Sequence, residues 1–211
     1  MNDEDGPAPL AAADRLALIE EQRTHVAGQL GLDLRLLYGA WGVAYLLGFG
    51  AFWVTSGETP LVEAPRAVVG VAFFVLIAAA IVVTAVHATR RNRGVRGESA
   101  AVGAMYGWSW LLGFGTLTAV LVSAQRLVSD PEVMDLLWPT GSLLVVGLLY
   151  TTGGSTWRDP FQFGLGVWIL VVTAAGALTG LPGVYLVMSL AGGGGFLAAA
   201  AWFAVRGRAS G

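Results

Sequence analysis

Chemistry needs nucleophiles, acid–base groups or metal ligands within reach of one another, and few residues of this chain qualify. It has two histidines, His25 and His87, and no cysteine. Thiolate metal sites, disulfides and cysteine nucleophiles are therefore excluded. A zinc site takes three or four ligands and a bis-ligated haem takes two, yet only His87 falls in an apolar run. Ser142 follows Gly141, but no histidine lies later in the chain to activate it. Glycine pairs abound, but inside apolar runs, and they form neither a P-loop nor a dinucleotide fingerprint. No enzyme activity, metal or cofactor is expected, and no nucleic acid as partner.

The remaining candidates are binding groups. Asp135 is the one carboxylate near the inside of an apolar run, where an ionisable group marks either a site or the headgroup level. Tyr106, Trp108 and Trp110 have the residue types to line a cavity for an apolar or cationic ligand, or to fill a core. Gly193 and Gly194, in the string Gly192–Gly195, permit a close helix crossing or a hinge. Arg90, Arg91, Arg93 and Arg96 suit anionic lipid headgroups.

The elements that must carry these residues follow from composition. Of 211 residues, 55% are apolar and 12% charged, against about 25% charged in a soluble domain. Mean hydropathy is +0.67. A helix crosses a hydrocarbon layer with about 20 apolar residues, and six runs meet that length. They are Leu34 to Thr55, Ala67 to Thr89, Ala100 to Ala124, Met134 to Thr152, Phe161 to Leu178 and Val184 to Val205. Barrel strands would be half as long and would alternate in polarity. The fold class is therefore all-α: an integral membrane bundle of six transmembrane helices. The transmembrane domain spans 33–206, between a tail of 1–32 and a short end at 207–211.

Orientation follows from arginine placement. With the N-terminus inside, Arg15, Arg23, Arg35, Arg90, Arg91, Arg93, Arg96, Arg158, Arg206 and Arg208 are cytoplasmic; Arg66 and Arg126 are outside. Both termini are thus expected to be cytoplasmic. The acidic start argues against a cleaved signal peptide. Residues 10–30 pattern as an amphipathic helix, suited to the lipid interface or to docking a cytoplasmic protein partner. A homo-oligomer is the other expected association, beside the bilayer itself.

The first and third runs share Leu-Leu-Gly-Phe-Gly, at 46–50 and 111–115. At the same offset Gly42 meets Gly107, Trp41 meets Tyr106 and Tyr45 meets Trp110. This is either a parallel two-helix repeat, with a site between copies as in transporters, or convergence of glycine- and leucine-rich helices. Gly103 with Gly107, and Gly176 with Gly180, are spaced for helix packing. Trp138-Pro139 reads as the start of the fourth helix or as a kink.

The segments Ala17-Leu18-Ile19-Glu20-Glu21-Gln22-Arg23, Leu36-Leu37-Tyr38-Gly39-Ala40-Trp41-Gly42 and Leu46-Leu47-Gly48-Phe49-Gly50 resemble small six-helix actinobacterial membrane proteins. That resemblance implies an inner-membrane location and lends no activity. The expected role is transport-related or membrane-accessory, for a small neutral or apolar ligand. The alternative is a regulatory subunit that docks a cytoplasmic partner through residues 10–30.

Because the chain lacks cysteine, single introduced cysteines report topology cleanly. Glu58→Cys should react with a membrane-impermeant maleimide added to intact cells, and Arg93→Cys only after permeabilisation. The reverse pattern would overturn the orientation.

Overall fold

The computed structural model describes residues 33–91 and 98–209. These form helices α1 (Leu34–Thr55), α2 (Arg66–Arg91), α3 (Glu98–Gln125), α4 (Pro131–Trp157), α5 (Pro160–Thr179), α6 (Gly183–Val187) and α7 (Gly194–Ala209). A π-helical segment, Met188–Gly193, joins α6 to α7, so the last three pieces make one continuous sixth span. No strand occurs among the described residues. Six helices are long and apolar enough to cross a bilayer, which is the plan of a multi-pass membrane protein. The expected helix at 10–30 lies outside the described residues, as do Arg93 and Arg96 of the basic cluster. Arg90 and Arg91 close α2.

Helix ends obey local chemistry. Asp33 caps α1, its carboxylate accepting from the N–H of Arg35 and Leu36 at 3.1 and 3.5 Å. The Arg35 guanidinium also bonds this carboxylate and holds it below the usual aspartate range. Helices α4 and α5 both begin with Asp-Pro: Asp130 and Asp159 cap, and the prolines fill the first helical position. Proline is tolerated there because its missing N–H would have had no partner.

Helix α4 is longer than the apolar run that marks it. The stretch 153–157, expected as a loop, continues the helix to Trp157. Gly153 and Gly154 are buried there against α5, so burial rather than helix propensity carries the turn. Pro139 is correspondingly inside the helix and not at its start. The connection to α5 shrinks to Arg158 and Asp159, and Arg158 ends α4 in the left-handed conformation, φ 54°.

Helices α1, α4, α5 and the sixth span form the core. Tyr38, Tyr45, Phe49, Leu143, Ile169, Met188 and Phe196 are all buried in it. Helix α2 packs chiefly on α1, and α3 on α4, so both are peripheral. The two Leu-Leu-Gly-Phe-Gly copies consequently have unlike surroundings. Gly42 faces Leu197 and Gly48 faces Phe73, whereas a Cβ on Gly107 or Gly115 would meet nothing within 4 Å. Gly103, expected with Gly107 to pack, also faces open space. Spacing aligned these glycines on one face of α3, but that face has no helix beside it among the described residues.

Close backbone approaches lie elsewhere. A Cβ on Gly166 would fall 2.5 Å from the Thr151 nitrogen, bringing α4 and α5 into backbone contact. A Cβ on Gly193 would fall 2.6 Å from the Leu46 nitrogen and 2.9 Å from its Cα, on α1. Gly194, next in sequence, has nothing within 4 Å. Adjacent glycines therefore make opposite predictions. Gly193→Ala must push two backbones apart and should cost about 1–3 kcal/mol. Gly194→Ala should be neutral or stabilising by up to about 1 kcal/mol, from helix propensity. Thermal unfolding of the two variants in detergent measures the difference.

Candidate functional site

The polar side chains of the spans do not gather into one constellation. They are spread as cross-helix bonds. Trp41 Nε1 donates to Thr84 Oγ1 at 3.0 Å, joining α1 to α2. His87 Nε2 accepts from the Asp33 N–H at 2.7 Å and closes the same pair at its end; that nitrogen must be unprotonated to accept. Ser189 Oγ donates to the Leu46 carbonyl at 2.8 Å, joining the sixth span to α1. Tyr106 donates to the Leu149 carbonyl at 2.9 Å, joining α3 to α4. Among the described residues no buried side-chain nitrogen or oxygen lacks a partner, and no group of three or more His, Asp or Glu could hold a metal ion.

Asp135 sits in a second cluster, at the end of the bundle that includes the α1–α2 and α5–α6 turns. Its carboxylate pairs with the Arg66 guanidinium at the start of α2. Its backbone carbonyl accepts from the Tyr185 hydroxyl at 3.4 Å. That carbonyl is the one Pro139 leaves without a helical donor, since proline has no N–H. The Asp135 side chain is 24% exposed and that of Arg66 61%. The pair is a clasp between α2 and α4 rather than an acid–base group held in a cleft. Arg66 was legible in the sequence only as an outer-loop charge, because its partner lies 69 positions away.

Tyr106 and Trp110 are brought together, their rings 6.1 Å apart and edge to face. Trp157 lies against Tyr106 at 4.7 Å, and Gln162 Nε2 donates to the Tyr106 hydroxyl at 3.4 Å. Trp108 does not join them: it is 61% exposed. Residues two apart on a helix point about 200° apart, so the three rings cannot line one wall.

Among the described residues, a concave surface lies between α5 and α7. A groove of about 510 Å³ is lined by Pro160, Phe161, Gly164, Leu165, Trp168, Gly195, Ala198, Ala199 and Trp202. Gly164, Gly195, Ala198 and Ala199 are among its lining, and it carries almost no polar surface. From Pro160 to Trp168 it runs about 12 Å along the helix axis. Trp168 closes the inner end, with Nε1 donating to the Ala191 carbonyl in the π-helical segment at 3.1 Å. The groove was not legible in the sequence, because it needs two helices set side by side, with Gly164 and Gly195 about 30 residues apart.

No family model, characterised protein or solved structure matches this chain.

The Arg66–Asp135 clasp makes a direct prediction. A double-mutant cycle with Arg66→Ala and Asp135→Ala, read by thermal unfolding, should give a coupling of about 0.5–1 kcal/mol. Coupling indistinguishable from zero would remove the clasp as a contributor to stability.

Proposed function

We propose that the chain is a multi-pass protein of the bacterial inner membrane, with both termini cytoplasmic. On this reading it binds or helps to move a small neutral or apolar ligand without catalysing a reaction. The observation that carries the reading is the groove between α5 and α7. It is concave and apolar, and four of its nine lining residues are glycine or alanine. A surface of that kind discriminates by shape and removes apolar area from competing solvent.

Two further features support it. The span polar groups described above are engaged in holding helices together, which leaves them poorly placed as acid–base or nucleophilic groups. The walls of the groove belong to the core helices α5 and α7, which are fixed by buried neighbours such as Leu165 and Ala199. A groove on rigid elements is preorganised for a ligand.

A neutral fatty alcohol carrying a photoactivatable diazirine tests this in detergent. Crosslinks should concentrate on 160–168 and 195–202. Gly164→Leu should suppress them at least fivefold, because a side chain there enters open space without touching the core. Crosslinks spread evenly over the exposed faces of α2 and α3, and unchanged by Gly164→Leu, would overturn the reading.

A further inference from the structure

We propose that the occupant of the α5–α7 groove is one acyl chain of an anionic phospholipid, with its phosphate held by Arg158. The inference rests on the groove reading above: it keeps an apolar occupant of the groove, as an acyl chain, and replaces the neutral ligand by a lipid whose head is anionic.

The groove is open along one side and has a definite end. Pro160, Phe161 and Trp202 line that end, and Phe161 stacks edge to face on Phe203 at 4.7 Å. Arg158 stands two residues before Pro160, on the two-residue turn between α4 and α5. Its backbone is fixed: its N–H bonds the carbonyls of Gly154 and Ser155, in the left-handed conformation. Its side chain is exposed and has no hydrogen-bond or ion-pair partner among the described residues.

The neighbouring acid does not neutralise it. Asp159 is committed to the start of α5, where its carboxylate accepts from the N–H of Phe161 and Gln162 at 2.9 and 3.0 Å. The dipole of α5 compensates that negative charge in place. The turn therefore presents one free cation beside the mouth of an apolar slot. A neutral ligand would use the slot and leave the guanidinium idle. A phospholipid uses both, since a guanidinium offers paired donors to phosphate oxygens.

The slot also suits a chain better than a compact molecule. Gly164, Gly195, Ala198 and Ala199 follow one another along two helices, so the concavity is long and shallow. Trp168, tied to Ala191, limits its depth. Trp202 flanks the opposite end, a frequent place for tryptophan at a membrane–water boundary.

The test uses the full chain purified from nanodiscs of equimolar phosphatidylglycerol and phosphatidylcholine, with retained lipids counted by native mass spectrometry. The wild type should retain phosphatidylglycerol over phosphatidylcholine by more than about fivefold, since Arg158 adds the value of one basic residue near an anionic headgroup to whatever Arg90, Arg91, Arg93 and Arg96 contribute. Arg158→Gln should lower that ratio about fivefold while still retaining lipid, and Arg158→Lys should restore most of the difference. Gly164→Leu should lower retention of both lipids. Equal retention of the two lipids by the wild type, or an Arg158→Gln ratio unchanged from it, would overturn the anionic headgroup and leave the apolar groove standing. Retention unaffected by Gly164→Leu would overturn both.

Discussion

Inside an apolar layer an unpaired peptide group costs several kcal/mol, and that cost organises this molecule. It makes helices obligatory for the six apolar runs. It also governs the two places where the helical ladder is interrupted. Pro139 strips a donor from the Asp135 carbonyl, and the Tyr185 hydroxyl reaches it from the sixth span. The π-helical segment Met188–Gly193 disturbs the ladder again, and there the Ala191 carbonyl accepts from both the Gly194 N–H and Trp168 Nε1. A side chain from a neighbouring helix thus reaches each of these places, so each also fixes where that neighbour sits. The widened turn brings Gly193 against the Leu46 backbone and Ser189 within reach of the Leu46 carbonyl.

The helix contacts are of two kinds. Helices α4 and α5 meet through glycines: Gly147 against Leu170, Gly154 against Phe163, Gly166 against Thr151. Close backbone approach gains dispersion contacts over the whole length, which is the main source of association where hydrophobic exclusion is absent. Helices α2 and α3 are tied to their neighbours by a few cross-helix bonds, Trp41–Thr84 and Asp33–His87 for α2 and Tyr106–Leu149 for α3. Each of these is worth about 0.6 kcal/mol in a membrane. The α4–α5 pair is thus the rigid unit, and α2 and α3 are the loosely held ones.

Much of this was legible in the residues. Run length and charge spacing placed all six helices, though the starts of α4 and α5 at Asp-Pro lie before the apolar runs that begin at Met134 and Phe161. What escaped was anything that depends on which face has a neighbour. Gly103 and Gly107 carry the familiar spacing but look onto open space, while Gly147 and Gly154, seven apart, do the packing. Trp108 lies between Tyr106 and Trp110 in sequence and on the other side of the helix in space. Asp135 was identifiable as unusual, but its meaning came from Arg66, Tyr185 and Pro139 together. The groove escaped for the same reason: Gly164 and Gly195 are ordinary small residues until two helices are set side by side.

That distribution of parts bears on where a ligand can act. The space between the inner helices is filled by rings. Tyr38 touches Phe161, Phe196 and Phe203, and Tyr45 touches Trp41, Phe49 and Phe196. Opening a path there would separate aromatic pairs worth about 0.5–1.5 kcal/mol each beyond their buried area, several at a time. A ligand entering from the side between α5 and α7 separates none of them. Under the proposed function, the energetics of the core therefore direct a ligand to the outer surface of the bundle, where small residues and the Arg158 turn adjoin.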